Sequence, residues 1–219
     1  METSETHRVS SGSSGNDGAL RRRIVEHARR QFLDQGFSTV RTEDLAKELG
    51  ISKKTLYRLF SSKNELVLEA ARALMGDIDE ELGSLFASDM PFPDKFRRIL
   101  ASVARHVGTI GRHFMVDIAR YAPEVWEEID RFRRERVLSR LKGVIDQGIS
   151  EGYVHASVNS ELFVATVYSI AQNVLTPERL SSLGVGPRDV VDFALRLFTV
   201  GILTTEGRNY LEKGEIDDA

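Results

Sequence analysis

The 219-residue chain has no cysteine. That excludes disulfides, thiolate zinc sites and cysteine nucleophiles, and it is compatible with a reducing compartment. No apolar run approaches the ~18 residues of a membrane span, and no charged-then-apolar leader opens the sequence. A cytoplasmic protein with no membrane partner is the expectation. His27, His106, His113 and His155 share no nucleophile spacing, and neither G-x-S-x-G nor a phosphate-cradling glycine loop occurs. No catalytic residue and no cofactor is therefore expected. His113 and Asp117 stand at i, i+4, but two ligands at helical spacing arise often by chance, and no metal site is expected.

What is present is ordinary for a folded globular protein, 41% hydrophobic and 29% charged. The length suits one large domain or two small ones sharing a core. The net charge of −3 is unevenly divided. Residues 18–63 carry 11 lysines and arginines against 5 acids, whereas residues 64–219 carry 18 against 25. Positive charge gathered on one segment favours a nucleic-acid partner over an acidic small substrate.

Within that segment, residues 42–63 (TEDLAKELGISKKTLYRLFSSK) read as two short helices, a tight turn between them, and the capped start of a third. Leu45, Ala46 and Leu49 share one face of the first helix. Gly50 suits the left-handed residue that ends it, and Ile51 supplies the turn's apolar contact. Ser52 is placed to cap the second helix, which buries Leu56 and Phe60 and turns Lys53, Lys54, Thr55, Tyr57 and Arg58 outward. Ser62 and Glu65 have capping-box spacing for the third. Such a unit is the pattern of a DNA-reading helix-turn-helix. The competing reading is a helical hairpin with a solvated basic face.

The set Gly36-Phe37, Thr42-x-x-Leu45-Ala46, Gly50-Ile51-Ser52, Thr55-Leu56-Tyr57-x-x-Phe60 and Lys63-x-x-Leu66 resembles the DNA-binding half of the TetR family of bacterial regulators. The resemblance covers about a quarter of the chain; the rest matches in size and helical pattern. It implies an all-α fold, with an N-terminal three-helix DNA-binding domain joined to a larger helical domain for ligand binding and dimerisation. By position, Lys53, Lys54 and Thr55 are the candidates for base edges. Thr42, Tyr57 and Lys63 match family positions that contact phosphate, and Arg58 joins them as an outward cation. Three residues depart from the pattern. Leu59 stands where relatives carry a hydrogen-bonding histidine or tyrosine, Lys54 replaces a small residue, and Glu43 is acidic where a basic residue can reach DNA.

Around this unit the domains are expected at 1–18 (a disordered glycine- and serine-rich arm), 19–65 (DNA binding), 66–210 (ligand binding and dimerisation) and 211–219 (an acidic, frayed tail). A helix over 19–35 carries Arg21, Arg22 and Arg23 at its start, either awaiting a phosphate or simply solvated. Ile24, Phe32, Phe37, Val40, Leu45, Leu56 and Phe60 form the expected small core. One long helix should reach residue 88, and others should cover 94–107, capped by Asp94, 112–121 and 123–150. Residues 161–175 and 187–203 are apolar nearly all round, so each must bury more than one face. Pairing with a second copy about a two-fold axis is the simplest second face, and burial inside a monomer is the alternative. His106, Phe114, Ile118, Tyr121, Trp126, Phe163, Tyr168 and Gln172 are candidates to line an apolar pocket for an unidentified small-molecule effector; an ordinary core would look similar. The expected function is a regulator, a repressor released from a palindromic DNA operator by a small apolar ligand. Its rivals are a DNA-binding dimer without a ligand, and a helical enzyme or scaffold with an incidental hairpin.

Overall fold

The computed structural model describes residues 11–217, with side chains over 16–211. Twelve α-helices follow in order among those residues: α1 Ser11–Gln35, α2 Thr42–Glu48, α3 Lys53–Leu59, α4 Lys63–Ala87, α5 Phe92–Gly108, α6 Arg112–Tyr121, α7 Pro123–Phe132, α8 Ser139–Ser150, α9 Ser160–Asn173, α10 Pro177–Leu183, α11 Pro187–Ile202 and α12 Thr205–Asp217. The segment Arg133–Leu138 between α7 and α8 is π-helical. The expected single helix over 123–150 is thus continuous but widened by one turn, which hydrophobic spacing does not mark. One antiparallel β-bridge, Val154 with Leu203, ties the turn after α8 to the end of α11.

Helix ends follow the local chemistry. Gly36 and Gly50 take positive φ, 88° and 69°. After Gly50 the Ile51 N–H returns to the Ala46 carbonyl at 2.9 Å, closing the turn that glycine permits. Ser52 Oγ accepts from Thr55 N at 3.0 Å, and Ser62 Oγ from Glu65 N at 3.0 Å. The box is shifted by one residue, because Glu65 reaches back to Ser61 N (2.6 Å) and not to Ser62. Asp94 lies in the first turn of α5. The Phe92 N–H is instead capped by Glu151, just after α8, at 2.9 Å.

Both expected termini require correction. Residues 1–10 lie outside the described residues, but from Ser11 the chain is helical where a disordered arm was expected. Once a helix exists each added residue gains a hydrogen bond, and Asp17 anchors the extension through a paired contact to Arg58 (2.5 and 2.8 Å). Similarly, α12 carries the helix through the expected frayed tail to Asp217. Its start is seated by the Thr204 N–H on the Tyr153 carbonyl at 3.0 Å.

The apolar side chains form two clusters. One joins Ile24, Phe32, Phe37, Val40, Leu45, Leu56, Phe60 and Leu66 with Phe114, Ile118, Ala122 and Val125. All seven residues of the expected small core belong to it, and α6 and α7 pack against it as well. The second joins Leu82, Phe92, Phe96, Ile99, Ile145, Phe163 and Leu203. Helices α9 and α11 bury one face each. Leu162, Phe193, Leu197 and Val200 remain 56–69% exposed on the other.

Candidate nucleic-acid interface and body cavity

Helix α3 shows its outer face to solvent while Leu56, 1% exposed, fixes its inner face. Lys53 and Lys54 are exposed and Thr55 is half-buried. The Lys53 ammonium is held by the Glu43 carboxylate and lies 5.7 Å above the Tyr57 ring. Hydrogen bonding to Lys53 keeps the Glu43 carboxyl below its ordinary value and raises the lysine in turn. Glu43, the acidic departure, therefore ties the first turn of α2 to the first turn of α3. Thr42 is buried, with its hydroxyl 3.0 Å from the Tyr57 hydroxyl. It orients the tyrosine and offers little surface of its own. Arg58 is clasped by Asp17. Lys63 donates to the Ser38 carbonyl at 3.3 Å and sits 4.6 Å above the Phe37 ring. Desolvation in that niche lowers its pKa, although the Asp117 and Glu43 charges oppose the shift.

Arg21 and Arg23 of the α1 cluster take neither expected role, whereas Arg22 is exposed. Because α1 starts at Ser11, these arginines are interior to the helix. Arg21 donates to the Leu59 carbonyl at 2.5 Å, and its guanidinium lies 4.3 Å above the Phe60 ring. Arg23 donates to the Leu49 carbonyl at 2.8 Å. Two cations thus satisfy the carbonyl ends of α3 and α2, where a helix favours positive charge. Leu59, the other marked departure, packs its side chain against the core.

Helix α6 bridges the two regions. Asp117, 8% exposed, accepts from the Ser38 N–H at 2.6 Å. The Gly111 N–H donates to the Leu33 carbonyl at 3.0 Å. A Cβ at Gly111 would meet that carbonyl at 2.6 Å, and one at Gly36 would meet Asp117 Oδ2 at 2.8 Å. The two glycines allow the start of α6 to lie directly on the end of α1. Sequence reasoning missed this role for Asp117 and Gly111; the i, i+4 spacing of His113 and Asp117 pointed only to a metal pair.

An apolar cavity of about 280 Å³ runs through the body. His106, Phe114 and Phe163 of the expected set line it, with Leu33, Met75, Phe86, Leu100, Phe132 and Phe198. The other five do not. Ile118 is fully buried in the first cluster, and Tyr121 is 47% exposed. Trp126 lies beneath the Arg133 guanidinium at 5.4 Å. Tyr168 and Gln172 bond each other at 3.0 Å, and Gln172 also donates to Asp130. Aromatic and polar character made them candidates, but which side chains face the cavity depends on packing between helices distant in sequence. Arg133, also missed, lines the cavity with its Nε buried and without a hydrogen-bond partner.

A half-exposed basic helix standing on a glycine turn, with a flank-packed third helix, defines a helix-turn-helix DNA-binding protein. Residues 24–76 match the family model described as bacterial regulatory proteins, tetR family. It is 25% identical over 161 residues to the HTH-type transcriptional regulator YvaF of Bacillus subtilis (strain 168), covering 72% of this chain and 82% of the relative. Its fold is similar to that of a transcriptional regulator from Saccharomonospora viridis solved in complex with choline (TM-score 0.66, 17% identity, 85% and 99% of the two chains). It is similar as well to the ketosteroid transcriptional regulator KstR2 of Mycobacterium tuberculosis (TM-score 0.54, 19% identity, 84% and 95%). The protein is a DNA-binding transcriptional regulator, and its relatives are regulators, not enzymes.

Proposed function

We propose that this regulator is a homodimeric repressor which leaves a palindromic operator when a small apolar molecule enters the cavity. The observation that carries the reading is the double engagement of α6. Phe114 and Met115 line the cavity, while Asp117, less than one turn further on, holds the backbone of Ser38 between α1 and α2. A molecule that prefers one position of α6 biases the placement of the head, and only such differential affinity can do so. The two heads of a dimer must meet major grooves ~34–36 Å apart, so a small tilt is enough to lose one half-site. The exposed apolar residues Leu162, Phe193, Leu197 and Val200 support pairing through α9 and α11. That the Saccharomonospora viridis regulator was solved in complex with choline supports a small-molecule ligand. At 17% identity the choice of ligand does not transfer.

On DNA, Lys53, Lys54 and Thr55 face base edges, with Lys53 exchanging Glu43 for an acceptor on a base. Tyr57, Lys63 and Arg58 grip phosphates, and Thr42 acts through Tyr57. The domains then divide at residue 65, although α6 and α7 pack with the head. Measuring duplex affinity against salt tests this reading. The expected result is a steep fall in log K with log [salt], with Lys63→Ala weakening all duplexes alike and reducing the slope by about 1. Lys53→Ala should instead change base preference, by about 1–3 kcal/mol at one position. A flat salt dependence, or identical behaviour of the two variants, defeats this assignment.

A further inference from the structure

The cavity extends along much of α4. Its lining on α4 extends from Ala70 to Phe86. That continuous helix rises ~1.5 Å per residue, which gives a run of about 24 Å. A space drawn out over such a length suits an extended chain.

Three cationic or imidazole side chains reach its wall, and they differ in what already holds them. Arg29 is paired with Asp77 at 2.5 Å and Glu26 at 3.0 Å. His106 is paired with Glu81 at 2.8 Å. Arg133 is held loosely: Nη1 donates to the Ala171 carbonyl at 3.4 Å, Asp130 stands 4.0 Å from Nη2, and Nε has no partner. Asp130 is itself drawn off by the Gln172 amide and by Arg134 at 3.8 Å. A partly buried guanidinium whose Nε is enclosed without an acceptor is costly, and a carboxylate suits its fork geometry. Arg133 also opens the π-helical segment, a distortion that recurs at functional sites.

We propose that the channel binds a long-chain carboxylate, its alkyl chain lying along α4 and its head group on the Arg133 guanidinium. This rests on the ligand-responsive reading above and names the class of molecule that would act. Trp126 is the sole tryptophan and stacks on Arg133, so its emission reports the head-group site directly.

The full chain is titrated with dodecanoate, dodecanol and dodecyltrimethylammonium below their micelle concentrations, reading Trp126 emission and the melting temperature. Dodecanoate should bind about ten- to a hundred-fold more tightly than dodecanol, the gain of a hydrogen bond to a charged group. Shortening to decanoate should weaken binding about four-fold per methylene removed. Arg133→Met should erase the preference for the carboxylate while dodecanol binding persists. If that variant fails to fold, Arg133→Lys keeps the charge without the fork and should retain only part of the preference. Equal binding of dodecanoate and dodecanol overturns the head-group assignment yet leaves a ligand-responsive body intact. Tighter binding of the ammonium, or an undiminished preference in Arg133→Met, overturns it as well. If no amphiphile moves either signal, the carboxylate proposal falls, and the ligand-responsive reading is then judged separately by whether other compounds release the duplex.

Discussion

The head and the body of this chain solve opposite problems with the same kind of helix. In the head, large side chains close on one another: Phe32, Phe60, Ile24, Leu45 and Leu56 are all at or below 1% exposure. The starts of α3 and α4 are capped by serines, and the ends of α2 and α3 are tied by arginines of α1. In the body, long helices leave a channel between them and apolar side chains uncovered on α9 and α11. A surface that must match DNA needs a fixed backbone, whereas a region that admits a ligand and a second copy must leave contacts unmade. The difference lies in what the apolar residues touch, since both regions are amphipathic by composition.

That contrast explains how much could be read in advance. The head is built from local signals: a glycine directly after Leu49, a serine before a lysine pair, an S-x-x-E box. Each acts within one or two turns, so spacing alone locates it. The body depends on contacts between α4, α5, α7 and α9, far apart in sequence. Aromatic character made Phe114 and Phe163 candidates for the lining, and both line the cavity. Spacing could not tell that Ile118, one turn beyond Phe114, points instead into the head's core. Nor could it mark the π-helical turn that places Arg133, or the two glycines that seat α6 on α1. Helices α10 and α12 escaped because neither has a long apolar stripe.

The contrast can be broken most forcefully by truncating matched side chains. Phe60→Ala should cost about 3–5 kcal/mol, because it opens a void in a closed core. Leu100→Ala, on the channel wall, should cost less than about 2 kcal/mol, since its side chain already lacks partners on one side. Urea unfolding followed by helical circular dichroism measures both. Equal losses would mean that the body is packed as tightly as the head.

The exposed face of the body gives the next largest effect. Phe193→Glu should leave the fold intact and halve the mass in sedimentation, because a charge on each copy would meet its mate. Affinity for a palindromic duplex should then fall about a hundred-fold, the loss of one linked binding event. A monomeric wild-type chain in the same experiment would remove the basis for pairing through α9 and α11.

Where head and body meet, the expected effect is smaller. Gly36→Ala forces a left-handed residue with a Cβ, at about 1–2 kcal/mol. It also drives that Cβ against Asp117 Oδ2. Stability should fall by about that amount, and the response of duplex binding to any effective ligand should weaken further than stability does. If the variant loses stability but keeps its full response, α6 does not carry the signal through this contact.

The smallest effect should come from the head's own surface. Hydrogen bonding to Arg58 holds the Asp17 carboxyl below the ordinary carboxylate range. A depressed pKa means that the pair is intact above the ordinary value and is lost only as pH falls through the lowered one. At neutral pH the pair therefore stands, and it occupies a cation on the outer face of α3. Asp17→Asn should release Arg58 to a phosphate, raising duplex affinity modestly and steepening the salt slope by about 0.9. Arg58→Ala should abolish that gain when the two changes are combined. If Asp17→Asn instead weakens binding, the helical extension before residue 18 serves to position Arg58 on DNA. The head would then be one turn of α1 larger than the expected boundary at residue 19.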